Sequence, residues 1–291
     1  MIVKRKYFKI VGVIILLLTF LFGAVFVSPL CAKEVGDINI DYRISGTGYP
    51  LVMIMGYSGT MDMWDPTMLR ILSSRYKVII FDNRGMGGTD AGDCQFTIEQ
   101  FADDTAGLMD ALGIQNAHVL GWSMGTDIAQ ELVLRHPEKV NKLILYAADC
   151  GTDVVPIDPD VVKKMSDTSG TLKKRGRRLL PLLFPRDWLK NNVTYLKKLF
   201  SRPMKMSSPE NIKRQYSAIE NWKGSCGRLD QIKSQTLLIT GTEDVVTPPE
   251  NSSMMVKGIP GAKLATFENS GHGLMYQYPD RFSQAVIDFL K

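Results

Sequence analysis

Cysteine and histidine are scarce in this chain, with four of the first and three of the second among 291 residues. Cys31, Cys94, Cys150 and Cys226 are too few and too scattered for a disulfide scaffold, and no CxxC occurs. No two histidines stand at ligand spacing, which argues against a structural zinc. Neither staple is needed, because a fold of this size buries about 75% of its unfolded surface. Charge of one sign is also lacking once the N-terminus is set aside. The net charge is +5, but Lys4, Arg5, Lys6 and Lys9 supply most of it, and from Lys33 onward 31 basic residues face 30 acidic ones. There is no set of aromatics among Arg and Lys and no nucleic-acid motif, so no nucleic-acid partner is expected. A dinucleotide cofactor is not expected either. Gly85-Met86-Gly87-Gly88 follows a strand-like run, but the third glycine of the fingerprint falls on Asp90.

One long apolar run is present. Ile10 to Val27 holds 18 residues without a charge, preceded by the basic cluster and followed by Ser28-Pro29-Leu30-Cys31-Ala32. Positive charge ahead of such a run predicts a cytoplasmic N-terminus and an extracytoplasmic body. The length lies between a signal-peptide core and a spanning helix. Residues 1–32 are therefore expected to be a signal peptide cleaved near Ala32 or a retained membrane anchor, with a lipidated Cys31 as a third option. Membrane association through this segment follows from the second. Outside the cytoplasm, Cys94, Cys150 and Cys226 can supply one disulfide, and the sequence does not choose the pair. The alternative is that they are small buried hydrophobes.

Past residue 33 the chain alternates strand and helix signals. Ile38, Ile40 and Tyr42 alternate with polar residues before a Gly46-Thr47-Gly48 turn and the run Leu51 to Met55, which predicts an opening β-hairpin. Lys77–Phe81, Ala117–Leu120, Lys142–Tyr146 and Thr236–Thr240 are short and apolar, as parallel strands buried on both faces are. Between them, Thr97 and Gln100 form a capping box ahead of helical spacing from Ile98 to Leu112, and a second helix is expected from Met124 to Arg135. The last begins near Pro279. Residues 151–230 depart from this rhythm. They carry 17 Lys and Arg against 8 Asp and Glu, with amphipathic pieces at 171–184, 187–200 and 209–222 and no central strand. The expected architecture is a doubly wound, mostly parallel sheet, residues 33–150 and 231–291, with residues 151–230 inserted between late strands as a helical cap. The basic cap reads as a solvated face or as a surface for acidic lipids or substrates.

Chemistry concentrates at three strand ends. Gly121-Trp122-Ser123-Met124-Gly125 leads straight from a strand into a helix. So sharp a turn strains its central residue, requires small neighbours and exposes the serine hydroxyl beside free helix N–H groups. A serine nucleophile needs a base. His118 lies within a strand and reads as core, and His136 ends a helix, where the dipole accounts for it. His272, in the loop Ser270-Gly271-His272-Gly273, is left as the candidate base. A carboxylate must orient the imidazole. Asp244, just past Thr236–Thr240, is the first candidate, Asp149 is its competitor, and Glu243 is expected to point elsewhere.

With these motifs, residues 36 to 291 resemble the α/β-hydrolase fold family, nearest in type to its esterase, lactonase and cofactor-free perhydrolase branch. Asp82-Asn83-Arg84-Gly85-Met86-Gly87 is similar to the family's DxRGxG turn, and Gly261 to Gly273 resembles its last strand and histidine loop. The resemblance implies a Ser123–His272–Asp244 triad with two backbone oxyanion donors, Met124 and Tyr57, and no cofactor or metal. In Met55-Gly56-Tyr57-Ser58-Gly59 the chain departs from the usual His-Gly, with Met55 in the histidine position. The expected substrate is a small carboxylic ester or lactone. Amidase, thioesterase and C–C hydrolase readings share the triad, and a ligand-binding receptor with an idle triad is the alternative of another class.

Overall fold

The computed structural model describes residues 31–151 and 155–291. The signal-or-anchor reading thus lies outside the described residues except at Cys31 and Ala32. Among the described residues, no helix is long and apolar enough to cross a membrane.

Eight strands form one sheet: β1 (Cys31–Val35), β2 (Ile38–Ser45), β3 (Pro50–Ile54), β4 (Lys77–Phe81), β5 (Ala117–Trp122), β6 (Val140–Tyr146), β7 (Gln235–Gly241) and β8 (Lys263–Phe267). Their order is β1-β2-β4-β3-β5-β6-β7-β8. β1 and β2 pair antiparallel, β2 meets β4 antiparallel, and all remaining neighbours are parallel. The helices are α1 (Pro66–Ser73), α2 (Ile98–Ala111), α3 (Met124–Arg135), α4 (Pro159–Ser166), α5 (Leu172–Leu183), α6 (Arg186–Asn191), α7 (Val193–Phe200), α8 (Pro209–Asn221), α9 (Pro249–Gly258), α10 (Leu274–Gln277) and α11 (Pro279–Leu290).

The opening hairpin is not the expected one. β2 does not pair with β3; it turns back on β1 through Gly36 and Asp37, with Gly36 at φ +56°. Two features explain this. A Cβ on Gly46 would lie 2.1 Å from the Ser73 carbonyl oxygen, so the Gly46-Thr47-Gly48 turn packs against the end of α1. And Leu51 to Ile54 are buried on both faces, so β3 takes two buried partners, β4 and β5. Ala32, the candidate cleavage site, sits inside β1 opposite Asp41, and cleavage there would shorten that strand.

Alternation along β3 builds two cores, as the period-2 geometry of a strand requires. Val52 and Ile54 face a layer with Phe101, Leu108, Ile128 and Leu132 of α2 and α3. Leu51 and Met53 face Met68, Leu72, Phe282 and Val286 of α1 and α11 on the other side. Thr97 caps α2 by accepting the Gln100 N–H at 3.0 Å. Among the described residues the reciprocal half of the capping box does not form, and the Gln100 amide donates to Asp104 at 2.9 Å.

Between β6 and β7 the described residues form α4 to α8 and no strand. The expected piece at 187–200 divides at Asn192 into α6 and α7, and α4 was not anticipated. A disulfide joins Cys150, just beyond β6, to Cys226, just ahead of β7, and so closes this segment at its base. Cys94 is free and exposed.

Candidate active site

The turn between β5 and α3 holds Ser123 at φ 55°, ψ −127°, a region that β-carbon-bearing residues enter only when their surroundings force them. The glycines show why. A Cβ on Gly121 would lie 2.2 Å from the Gly125 carbonyl oxygen, and one on Gly125 would lie 2.2 Å from that of Ile54. The Ser123 N–H donates to the Tyr146 carbonyl at 3.0 Å, which ties the turn to β6.

His272 follows β8. Its Nδ1 lies 2.8 Å from Asp244 Oδ2, leaving Nε2 as the ring nitrogen turned away from the carboxylate. Asp244 is buried beyond the end of β7, and its Oδ1 accepts the N–H groups of Val246 and Thr247, each at 2.9 Å. A carboxylate held by three hydrogen bonds is fixed in orientation and fixes the ring in turn. The His272 carbonyl accepts from the Trp122 indole at 3.2 Å and from the Tyr146 hydroxyl, and the Trp122 ring packs on the imidazole at 5.7 Å between centroids. The flanking glycines make room for the end of α5. A Cβ on Gly271 would lie 2.8 Å from the Leu183 carbonyl oxygen, and the Gly273 N–H donates to that same oxygen at 2.8 Å.

Ser123 and His272 line one cavity of about 120 Å³. Among the described residues no hydrogen bond joins the serine hydroxyl to the imidazole, a contact that often tightens only with substrate bound. Met55, Met63, Met165, Leu179, Leu182 and Val246 form much of the wall, and His272 is its one titratable side chain besides Tyr57. Ser58, Met63, Leu179 and Leu183 also line a second cavity of about 260 Å³, so the two lie back to back across those four side chains.

Gly56 brings the loop after β3 against the elbow: a Cβ there would lie 3.1 Å from Ser123 Cβ. Tyr57 follows, half-buried, with its hydroxyl lacking a hydrogen-bond partner among the described residues and its pKa pushed up to about 12 by burial, against the opposing charge of Arg175. Met55 is fully buried, and Asn83 Nδ2 donates to its carbonyl at 2.9 Å, which anchors the loop without the usual histidine. The 82–88 turn is braced from below. Asp82 accepts the N–H groups of Met61 and Gly88 at 2.7 and 2.9 Å, burial pushing its carboxyl up to about 6. Arg84, 2% exposed, pairs with Asp104 and Asp37.

The other candidates make no hydrogen bond to His272 among the described residues, although Asp149 lies near enough to feel its charge. Asp149 is bonded to the Gly151 N–H at 3.0 Å rather than to His272, and burial raises its carboxyl pKa. Glu243 is exposed. His136 bonds Asp103 at 2.7 Å at the end of α3. His118 is buried between the rings of Tyr49 and Tyr76, its Nδ1 without a partner among the described residues. Sequence reasoning missed Trp122 and Tyr146, which hold the His272 carbonyl, and Gln215 of α8, whose Oε1 accepts the Ser58 N–H at 2.7 Å. Trp122 stood in plain view between Gly121 and Ser123. Nothing local marks Gln215.

A mostly parallel sheet with a serine at a strained strand-to-helix turn and a histidine–aspartate pair past later strands defines a hydrolase of α/β architecture. The chain belongs to the α/β-hydrolase fold family, whose model matches residues 49–279. It is 29% identical over 260 residues to RutD of Azorhizobium caulinodans, provisionally named a carbamate hydrolase, covering 87% of this chain and 96% of that one. It is 28% identical over 276 residues to the 2-hydroxy-6-oxo-6-phenylhexa-2,4-dienoate hydrolase of Comamonas testosteroni, covering 91% and 95%. Among solved structures it is similar to the enol-lactonase of Burkholderia xenovorans, with a TM-score of 0.77, 25% identity and coverage of 89% and 99%.

Proposed function

We propose that this hydrolase cleaves carboxylic esters or lactones through an acyl-enzyme on Ser123, with His272 as base, Asp244 as its orienting carboxylate and the N–H groups of Met124 and Tyr57 as oxyanion donors. One juxtaposition carries the reading: a strained serine shares an apolar cavity with an imidazole whose Nδ1 is committed to a buried aspartate. Ser123 Oγ attacks the carbonyl carbon as His272 Nε2 takes its proton. The tetrahedral oxyanion rests on the two N–H groups, and each such donor contributes about 10²–10³ in kcat. Collapse breaks the C–O bond, and the imidazolium returns the proton to the departing alkoxide. Water, deprotonated by His272, then attacks the acyl carbonyl, and collapse releases the acid and regenerates the serine. For a lactone the alcohol and the acid stay in one product. The cycle needs no cofactor or metal.

The wall chemistry favours a neutral, apolar group at the reacting centre. No Lys or Arg lines the cavity around Ser123, whereas the dienoate of the Comamonas relative carries a carboxylate that a cation would match. The neighbouring cavity offers room for a longer chain. In the same reading α4 to α8 serve as the cap over the sheet edge. The body of the protein lies outside the cytoplasm, tethered by the N-terminal segment or released from it, and the Cys150–Cys226 disulfide supports an oxidising compartment.

The test of substrate class is turnover by the purified full-length protein of p-nitrophenyl esters, five- and six-membered lactones, an aryl carbamate and a 6-oxo-dienoate, with Ser123→Ala as control. Esters or lactones are expected to lead in kcat/KM. A lead for the carbamate or the dienoate overturns the ester assignment. Retained covalent labelling of Ser123 with no turnover of any of them favours the receptor reading. Protease treatment of intact cells tests the compartment, since the body is expected to be digested without lysis.

A further inference from the structure

Tyr57 lacks the usual neighbour that shapes its loop, so something else must hold its N–H toward the cavity. Ser58, the next residue, sits at φ +56°, a conformation that costs a serine free energy unless its surroundings impose it. At one end Asn83 fixes the Met55 carbonyl, and the Gly59 N–H closes back on the Gly56 carbonyl at 3.2 Å. At the other end the Ser58 N–H is taken at 2.7 Å by Gln215 Oε1. Gln215 comes from α8, in the helical segment, and is fully buried. Its Nε2 has no partner among the described residues, so its side-chain hydrogen bonding is spent on this one loop.

We propose that Gln215 is the positioning residue for the Tyr57 oxyanion donor, so that the oxyanion hole is completed from the helical segment and not by the sheet alone. This rests on the serine-hydrolase reading above. Gln215 touches no reacting atom. Its Oε1 fixes the Tyr57–Ser58 peptide, and the preceding Gly56–Tyr57 peptide, which carries the Tyr57 N–H, is thereby held in one orientation. Without the acceptor, the half-buried Ser58 N–H loses its partner and the positive φ loses its constraint. Rotation of the peptide then satisfies the donor elsewhere and swings the Tyr57 N–H off the oxyanion position. A neutral acceptor suits the site, since an ionised one would be buried beside an apolar cavity.

The experiment compares Gln215→Leu, Gln215→Asn and Gln215→Glu in the full-length protein, with p-nitrophenyl butyrate as substrate and active sites titrated by fluorophosphonate. Leu removes the acceptor, Asn draws it back by one methylene, and Glu, protonated when buried, restores it. The expected result is a fall in kcat of about 10- to 100-fold for Leu and Asn with KM within about threefold, because a displaced donor forfeits part of the effect of a deleted one. Recovery of kcat to within about fivefold of wild type is expected in Glu. A merely structural role would lower the yield of titratable sites and leave kcat per site unchanged. Should Leu fail to fold, Asn and Glu carry the comparison. Kcat per site within twofold of wild type in a folded Leu or Asn variant overturns the inference alone. Failure of the wild type to hydrolyse the ester or to label at Ser123 overturns the reading beneath it.

Discussion

Reducing the Cys150–Cys226 bond perturbs the molecule without changing a side chain. The bond joins residues 76 apart, and α4 to α8 lie within the loop it closes. Closing a loop of that length lowers the entropy of the unfolded chain by about 15 cal/mol/K, about 4.5 kcal/mol near room temperature. Cross-links commonly deliver somewhat less than this chain-entropy value, so the expected loss on reduction is about 2–4 kcal/mol. For a chain of this size that is a fall in Tm of about 5–15 °C. The assay is guanidinium unfolding followed by tryptophan fluorescence, with and without reductant. Mass mapping of alkylated thiols would verify that both sulfurs are free. The denaturant slope should also rise on reduction, because the unlinked chain unfolds to a more expanded state. Coincident unfolding curves for oxidised and fully reduced protein would refute the reasoning, since the loop would then restrict nothing.

Three further outcomes are expected. Arg84→Ala strands the buried Asp104 carboxylate and should cost about 3–5 kcal/mol in unfolding free energy; a loss under about 1 kcal/mol would show that the pair does not brace the turn. Burial pushes the His118 imidazole down from 6.5 to about 4. The unfolded chain therefore binds more protons between those values, and this contribution to stability is present above about 6.5 and lost as pH falls toward about 4. It amounts to about 3 kcal/mol, and His118→Phe should flatten that part of the stability profile; an unchanged slope in the variant counts against it. Leu179→Trp, filling the wall shared by the two cavities, should depress kcat/KM for decanoate esters at least tenfold more than for acetate, and an equal loss on both would argue that long chains do not pass that wall.

Much of the site was legible because its requirements are local. Gly121 and Gly125 are forced by backbone atoms within touching distance, and the Ser123 turn follows from the strand and helix on either side. With three histidines in the chain, elimination leaves His272, whereas Asp244 and Asp149 both follow strand ends, and only the 2.8 Å contact to His272 Nδ1 separates them. What stayed hidden depends on contacts distant in sequence. The insertion of β4 between β2 and β3 is decided by which runs are buried on both faces, and β1 is concealed because it straddles the boundary expected at residue 32, with Cys31 and Ala32 on the targeting side. The disulfide partner could not be chosen, because Cys94, Cys150 and Cys226 differ only in where the fold carries them. Gln215 reads as one polar position on an amphipathic helix, and only the packing of α8 against the loop after β3 gives it a role.

Everything proposed for this site depends on Ser123 being an activated nucleophile. The most direct measurement treats the full-length protein with a fluorophosphonate probe and locates the adduct by intact mass and peptide mapping. Stoichiometric labelling of Ser123 is expected, abolished in Ser123→Ala and slowed at least a hundredfold in His272→Ala. A folded protein that remains unlabelled, or that carries the adduct on another residue, would contradict it.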